Sequence, residues 1–200
     1  MISTQLAKLL LAVTAVSAAT VPIANNVAPI PGYGVEDFQW EVQALPGGPF
    51  LNFTGTLEHV HDEVLQLNPN FDADFPVEKG AIHARTDFGG SAYNCDTNRW
   101  GLADKGRIQG GISYLRRVAG RPSNGPGPGN CGRVSCSNDA AIWWCNDSPS
   151  TKELASFSSI ADGAQYIVDR CSFYNGYGTY ASGQVFHSTN WNVITSQANC

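Results

Sequence analysis

Beyond its first twenty residues the chain has no long apolar run, which argues against a membrane-spanning helix, since such a helix needs about 20 consecutive apolar residues. It has no excess of cations: 12 Lys and Arg stand against 17 Asp and Glu, a net charge of −5. An acidic chain without a basic stripe is poor material for phosphate contacts, so no nucleic-acid partner is expected. There is no Gly-x-Ser-x-Gly elbow, because Gly110-Gly111-Ile112-Ser113-Tyr114 and Gly89-Gly90-Ser91-Ala92-Tyr93 both break the pattern; a serine hydrolase is not expected. Metal-site spacing is also missing. Cys131 and Cys136 stand close together, but no second cysteine pair matches them, and His59 and His61, two apart on a helical pattern, point in different directions. No metal and no cofactor are expected.

What the chain does have is an even set of cysteines and an uneven spread of charge. The N-terminus carries Lys8, the apolar run from Leu9 and the small residues Ser17-Ala18-Ala19, the three-part pattern of a secretory signal peptide covering residues 1–19. A chain routed through an oxidising compartment pairs its cysteines, so Cys95, Cys131, Cys136, Cys145, Cys171 and Cys200 are expected to form three disulfides of open connectivity. All six lie in the second half. Between Thr20 and Asn94 ten acids face only Lys79 and Arg85, whereas from Cys95 onward seven acids face nine bases. The expected organisation is therefore an acidic N-terminal α+β unit at 20–92 and a disulfide-stapled unit at 93–200, the latter losing its structure first on reduction.

Hydrophobic periodicity gives the elements. Val21 to Gly34 contains prolines and reads as a linker. Phe38 to Ala44 alternates apolar and polar residues, Leu45-Pro46-Gly47-Gly48-Pro49 turns, and Phe50 to Thr54 returns, which predicts a hairpin. Leu57, Val60, Val64 and Leu67 predict a helix behind Thr56, ended by Asn68-Pro69, and Ala81 to Arg85 reads as a further strand. In the second half, Ile108, Ile112, Leu115 and Val118 predict a helix opened by Asp104, weakened by Gly110-Gly111 and closed by Gly120. Arg121 to Asn130 reads as a solvated loop with nothing to contribute to a core. Two strands follow, Arg133 to Ser137 and Ala140 to Cys145, in which one of Trp143 and Trp144 is expected in the core. Ser159 with Asp162 reads as a weak capping box before a helix with Ile160, Ala164, Ile167, Val168 and Cys171 on its inner face. Gly183 to Ser188 and Asn192 to Thr195 close the chain as strands. The fold class is α+β.

The stretch Cys131-Gly-Arg-Val-Ser-Cys136, Ile142-Trp-Trp-Cys145, Ile160-Ala-Asp-Gly-Ala, Ile167-Val-Asp-Arg-Cys171 and Gly183-Gln-Val-Phe, with a terminal cysteine, resembles a group of small cysteine-rich secreted proteins of filamentous fungi. The helix and strand order from Tyr93 to Cys200 is similar to the fungal killer toxin 4 fold and the related necrosis-inducing effectors. The resemblance implies a small α/β sandwich whose disulfides tie helices to a sheet, here preceded by a hairpin-helix unit. The toxin has more cysteines, and its functional lysine has no counterpart in this chain, so the resemblance does not carry over membrane-channel blockade.

For chemistry, a guanyl-type ribonuclease would need a carboxylate base, a histidine acid and an arginine. His83 and Arg85 alternate on one predicted strand, with Glu58, Glu78 or His187 as partners. For binding, the Phe173-Tyr174-Asn175-Gly176-Tyr177-Gly178-Thr179-Tyr180 segment offers Tyr174, Tyr177 and Tyr180 as flat faces for sugars, and Arg121 opens an adjacent Gly/Pro loop. Asn52-Phe53-Thr54 is an N-glycosylation sequon, and Asn146-Asp147-Ser148 is a second, weakened by Pro149. Arg116-Arg117 reads as cations complementing a helix C-terminus more than as a processing site. With no catalytic constellation, the leading expectation is a secreted, non-enzymatic, effector-like or toxin-like protein that binds an extracellular protein or carbohydrate. A secreted ribonuclease-type enzyme and a wall-associated structural or carbohydrate-binding protein are the alternatives.

Overall fold

The computed structural model describes residues 27–76, 85–118 and 120–200. The signal segment, the strand expected at Ala81 to Arg85 except for Arg85, and with them Glu78 and His83 lie outside the described residues.

The elements in order are β1 Gly34–Val35, β2 Gln39–Gln43, β3 Phe50–Thr54, α1 Leu57–Leu67, α2 Phe71–Asp74, β4 Tyr93–Asn94, α3 Thr97–Trp100, α4 Lys105–Leu115, β5 Ser123–Asn124, β6 Asn130–Ser137, β7 Ala140–Asn146, β8 Lys152–Glu153, α5 Ser158–Cys171, β9 Ser172–Tyr174, β10 Thr179–Ala181, β11 Gly183–His187 and β12 Trp191–Gln197. The protein is α+β: a mixed six-stranded sheet in the order β1-β6-β7-β12-β11-β4 packs against helices, and two-stranded ribbons β2-β3, β5-β8 and β9-β10 surround it.

Both faces of the sheet are covered, which explains its central strands. Every residue of β7 is buried, so Trp143 and Trp144, pointing to opposite faces as neighbours on a strand must, are both core residues. Trp144 joins the larger cluster under α1, α4 and α5, and Trp143 joins a smaller one with Cys131, Cys145, Ile194 and Trp100. The expectation of one core tryptophan assumed a sheet with one wet face.

The helices form where the apolar spacing places them. Ile108, Ile112 and Leu115 of α4, and Ile160, Ala164, Ile167, Val168 and Cys171 of α5, are buried together. Asp104 caps α4, its side chain accepting the Arg107 N–H at 2.9 Å. The helix ends at Leu115 rather than near Gly120, and Val118 packs beyond its end. Gly111 has a packing reason: a Cβ there would lie 2.6 Å from Ser135 Oγ and 3.0 Å from Ile142 Cδ1, so the residue that weakens the helix lets it approach the sheet. The Ser159 capping box is not formed. Ser159 sits inside α5 behind Phe157, and Asp162 accepts instead from the Thr86 N–H at 2.9 Å and from Arg116 at 3.4 Å.

The first half does not stand apart. The linker expectation fails at its end, since Ile30 is buried in the smaller cluster and β1 pairs in parallel with β6, Gly34 opposite Asn130. The expected β2-β3 hairpin forms, with Trp40 opposite Phe53, and Phe38 and Trp40 enter the larger cluster. Trp40 stacks on Phe157 with ring centroids 4.4 Å apart and planes 7° apart, and Phe38 lies 5.6 Å from Trp144. Gly132 leaves room for Phe38, because a Cβ there would fall 2.1 Å from its ring. In α1, Leu57, Val60 and Val64 face inward, but Leu67 is exposed. Asn68 is buried in its place, donating to Ala44 O and Asp74 Oδ2, both at 2.9 Å.

All six cysteines are paired, Cys95 with Cys171, Cys131 with Cys145 and Cys136 with Cys200. Cys131 and Cys145 face each other in register across β6 and β7. The other two bridges tie the end of α5 to the β4–α3 junction and the C-terminus to β6. Among the described residues no helix is long and apolar enough to cross a membrane.

Candidate functional site

The exposed aromatic groups expected between Phe173 and Tyr180 lie on one element, the β9-β10 hairpin, with Tyr174 opposite Thr179 and Phe173 opposite Tyr180. Its turn is held by local hydrogen bonds. Asn175 Oδ1 accepts from the backbone N–H groups of Tyr177 and Gly178 at 3.0 and 3.1 Å, and the Tyr174 hydroxyl donates to Gly176 O at 2.9 Å. Gly176 takes φ +94°, a left-handed conformation that suits glycine. Tyr177 is thereby held 95% exposed at the tip, and Tyr174 beside it 71% exposed. Tyr180 is placed differently: it is half-buried, packs its ring on Phe173 and bridges to Asp104. Cys171 precedes β9 directly, so its bridge to Cys95 anchors the root of the hairpin.

Arg121 is exposed but belongs to another ribbon. It precedes β5 and pairs with Glu153 of β8 at 2.6 Å. Nor is its loop free of the core, as the sequence suggested. Pro122, Asn124 and Gly129 are buried, and Asn124 and Asn146 tie the loop to β7 from inside: Asn124 Nδ2 donates to Asn130 O at 3.3 Å and Trp144 O at 3.1 Å, and Asn146 Nδ2 donates to Gly125 O at 2.7 Å. Asn146, fully buried, is thus committed as a donor and closed to glycosylation. Asn52 is exposed on β3, with an amide that a glycan can reach.

The described partners for a ribonuclease do not converge. Glu58 reaches from α1 to β6, accepting from Ser135 Oγ and from the Cys136 N–H at 2.9 Å. His187 sits on β11, three strands away in the sheet order, or about 14 Å at the usual strand spacing. It stacks on Trp191 with centroids 4.7 Å apart and meets the edge of Phe88. Burial, then Lys152, lower its pKa below the ordinary histidine value, against a smaller opposing pull from Asp87. His59 pairs with Glu63 at 3.3 Å on the wet side of α1. Among the described residues no cluster of His, Cys, Asp or Glu is placed to hold a metal ion.

One feature of the surface has no signature in the sequence, a cleft bounded by the β2-β3 hairpin, α1, α2 and the end of α4. Its walls come from four separate stretches, and no local pattern announces them.

No family model, no curated protein and no solved structure matches the chain.

Proposed function

We propose that this is a secreted, non-catalytic binding protein that presents the tip of the β9-β10 hairpin to an extracellular carbohydrate or protein surface. The observation that carries the reading is Tyr177, an aromatic side chain held almost wholly in water by a turn with three internal hydrogen bonds. Exposing a large apolar ring contributes nothing to folding, and a turn whose backbone is already held by hydrogen bonds lowers the entropy lost when that ring meets a partner. Aromatic side chains of this kind dominate contact energies at binding surfaces. Three disulfides and the N-terminal signal pattern support export to an oxidising compartment. The separation of Glu58 from His187 counts against the ribonuclease alternative.

Co-sedimentation with insoluble chitin and β-glucan tests the proposal, alongside an RNA-cleavage assay on the same oxidised, full-length protein. Retention on one polysaccharide, reduced about tenfold by Tyr177→Ala with an unchanged thermal melt, is the expected result. Retention indifferent to Tyr177, or RNA cleavage that His83→Ala abolishes, would overturn it.

A further inference from the structure

The cleft beside the first hairpin has a volume of about 290 Å³ and is walled mainly by apolar side chains, among them Val42 and Phe50 of the hairpin, Val60 of α1 and Phe71 and Phe75 at α2. Polar groups converge on one side of it. His61 Nε2 lies 3.0 Å from Asp72 Oδ1, and the imidazole meets the Tyr114 ring edge-on at 4.9 Å. The guanidinium of Arg117 lies over the Tyr114 ring, 5.2 Å from its centroid, with Nε donating to Ser113 O. Concave apolar walls with a few convergent polar groups are the usual make-up of a small-molecule site.

We infer that this cleft binds a small, mostly apolar molecule without negative charge that carries a hydrogen-bond acceptor such as a carbonyl or ether oxygen. The acceptor follows from the groups that face it. The Tyr114 hydroxyl makes no hydrogen bond to a described residue, and Arg117 has its outer nitrogens to donate, whereas His61 is already bonded to Asp72. The absence of negative charge follows from the field. Asp72, Glu58 and Asp62 outweigh Arg117 at the Tyr114 phenol, whose pKa burial and these acids raise above its ordinary value, and Glu41 lines the same cleft. A carboxylate ligand would meet that repulsion; a neutral acceptor would not. The site is separate from the β9-β10 hairpin and holds or fails independently of it.

The test uses the oxidised full-length protein and two dyes, neutral Nile red, which carries a carbonyl, and anionic cis-parinaric acid. Saturable one-to-one Nile red binding is expected, with cis-parinaric acid at least about tenfold weaker. Val42→Trp should fill the cleft from the half-buried face of β2 and abolish binding, while Tyr114→Phe should weaken Nile red about fivefold, as loss of one hydrogen bond does. Tyr177→Ala should leave binding unchanged. Non-saturable binding, tighter binding of the anionic dye, or a folded Val42→Trp protein that binds as well as the parent would overturn the inference. If Val42→Trp does not fold, an undiminished affinity in Tyr114→Phe overturns it alone.

Discussion

The stretch from Val27 to Phe75 and the stretch from Tyr93 to Cys200 are held by different means and share one interior. The second has three disulfides; the first has none. In place of a covalent tie the first half inserts Phe38 and Trp40 against Trp144 and Phe157, and its acids serve as acceptors for the second half's donors. Glu36 Oε2 accepts from the Gly125 N–H and Asn130 Nδ2, each at 2.8 Å, and Glu58 accepts from Ser135 and Cys136. The traffic runs both ways, since Asp162 of α5 accepts from the Thr86 N–H. These contacts between the halves thus run from carboxylates to neutral donors, and not from the acids of the first half to the cations of the second.

Reduction of the disulfides tests that comparison with the largest expected effect. Each bridge contributes about 2–5 kcal/mol, and a domain's whole stability is about 5–15 kcal/mol, so removing all three should unfold the protein. With one core, α1 should lose its exchange protection together with α5, although no disulfide ends in the first stretch. The sequence alone suggested that the second half would go first. Protection of Val60 and Val64 amides that outlasts that of Ile160 and Ile167 would restore two independent units.

Trp40→Ala asks the same question from the other side, at a smaller cost. Trp40 is 2% exposed, and its Nε1 donates to Gly55 O at 2.8 Å. Removing a buried tryptophan costs about 3–5 kcal/mol. Because the ring stacks on Phe157, just before α5, the loss should lower the denaturant midpoint of the entire molecule in one transition. A biphasic curve, in which only the hairpin melts early, would show the shared interior to be weaker than its geometry.

The elements that were legible in the sequence are those whose burial is one-sided. The alternation from Phe38 to Ala44 and the spacing of Ile160, Ile167 and Cys171 each reported a single apolar face, and the structure buries those faces. Where both faces are covered, periodicity carries no information, and Trp143 was hidden in this way. Interior polar side chains were equally silent: Asn68, Asn124 and Asn146 are buried because they satisfy backbone groups distant in sequence, and a residue type that usually marks a turn does not announce that role. In the candidate site the glycine-flanked tyrosines could be picked out from local spacing. The cleft could not, because Tyr114, His61 and Phe75 meet only through tertiary packing.

His187 gives the smallest expected effect and separates the histidine of the second half from those of the first. His59 and His61 lie beside carboxylates, Glu63 and Asp72, whereas His187 is wedged between Trp191 and Phe88. Its Nδ1 accepts from the Thr189 N–H at 3.2 Å and lies 2.9 Å from Thr189 Oγ1, which in turn accepts from Trp191 Nε1 at 2.9 Å. An imidazole that accepts at Nδ1 is neutral there, and protonation would break the bond it accepts from the backbone. Burial and Lys152 act in the same direction, lowering the pKa. In the unfolded chain the group returns to about 6.5, so between that value and the lower folded one the unfolded state binds more protons. Stability therefore falls as the pH drops through this window, and is unaffected by His187 above it. Denaturant midpoints between about pH 5 and pH 8 should show the decline, and His187→Gln should flatten the part of it due to this residue. A decline of the same size in the variant would mean that the acid sensitivity does not come from His187.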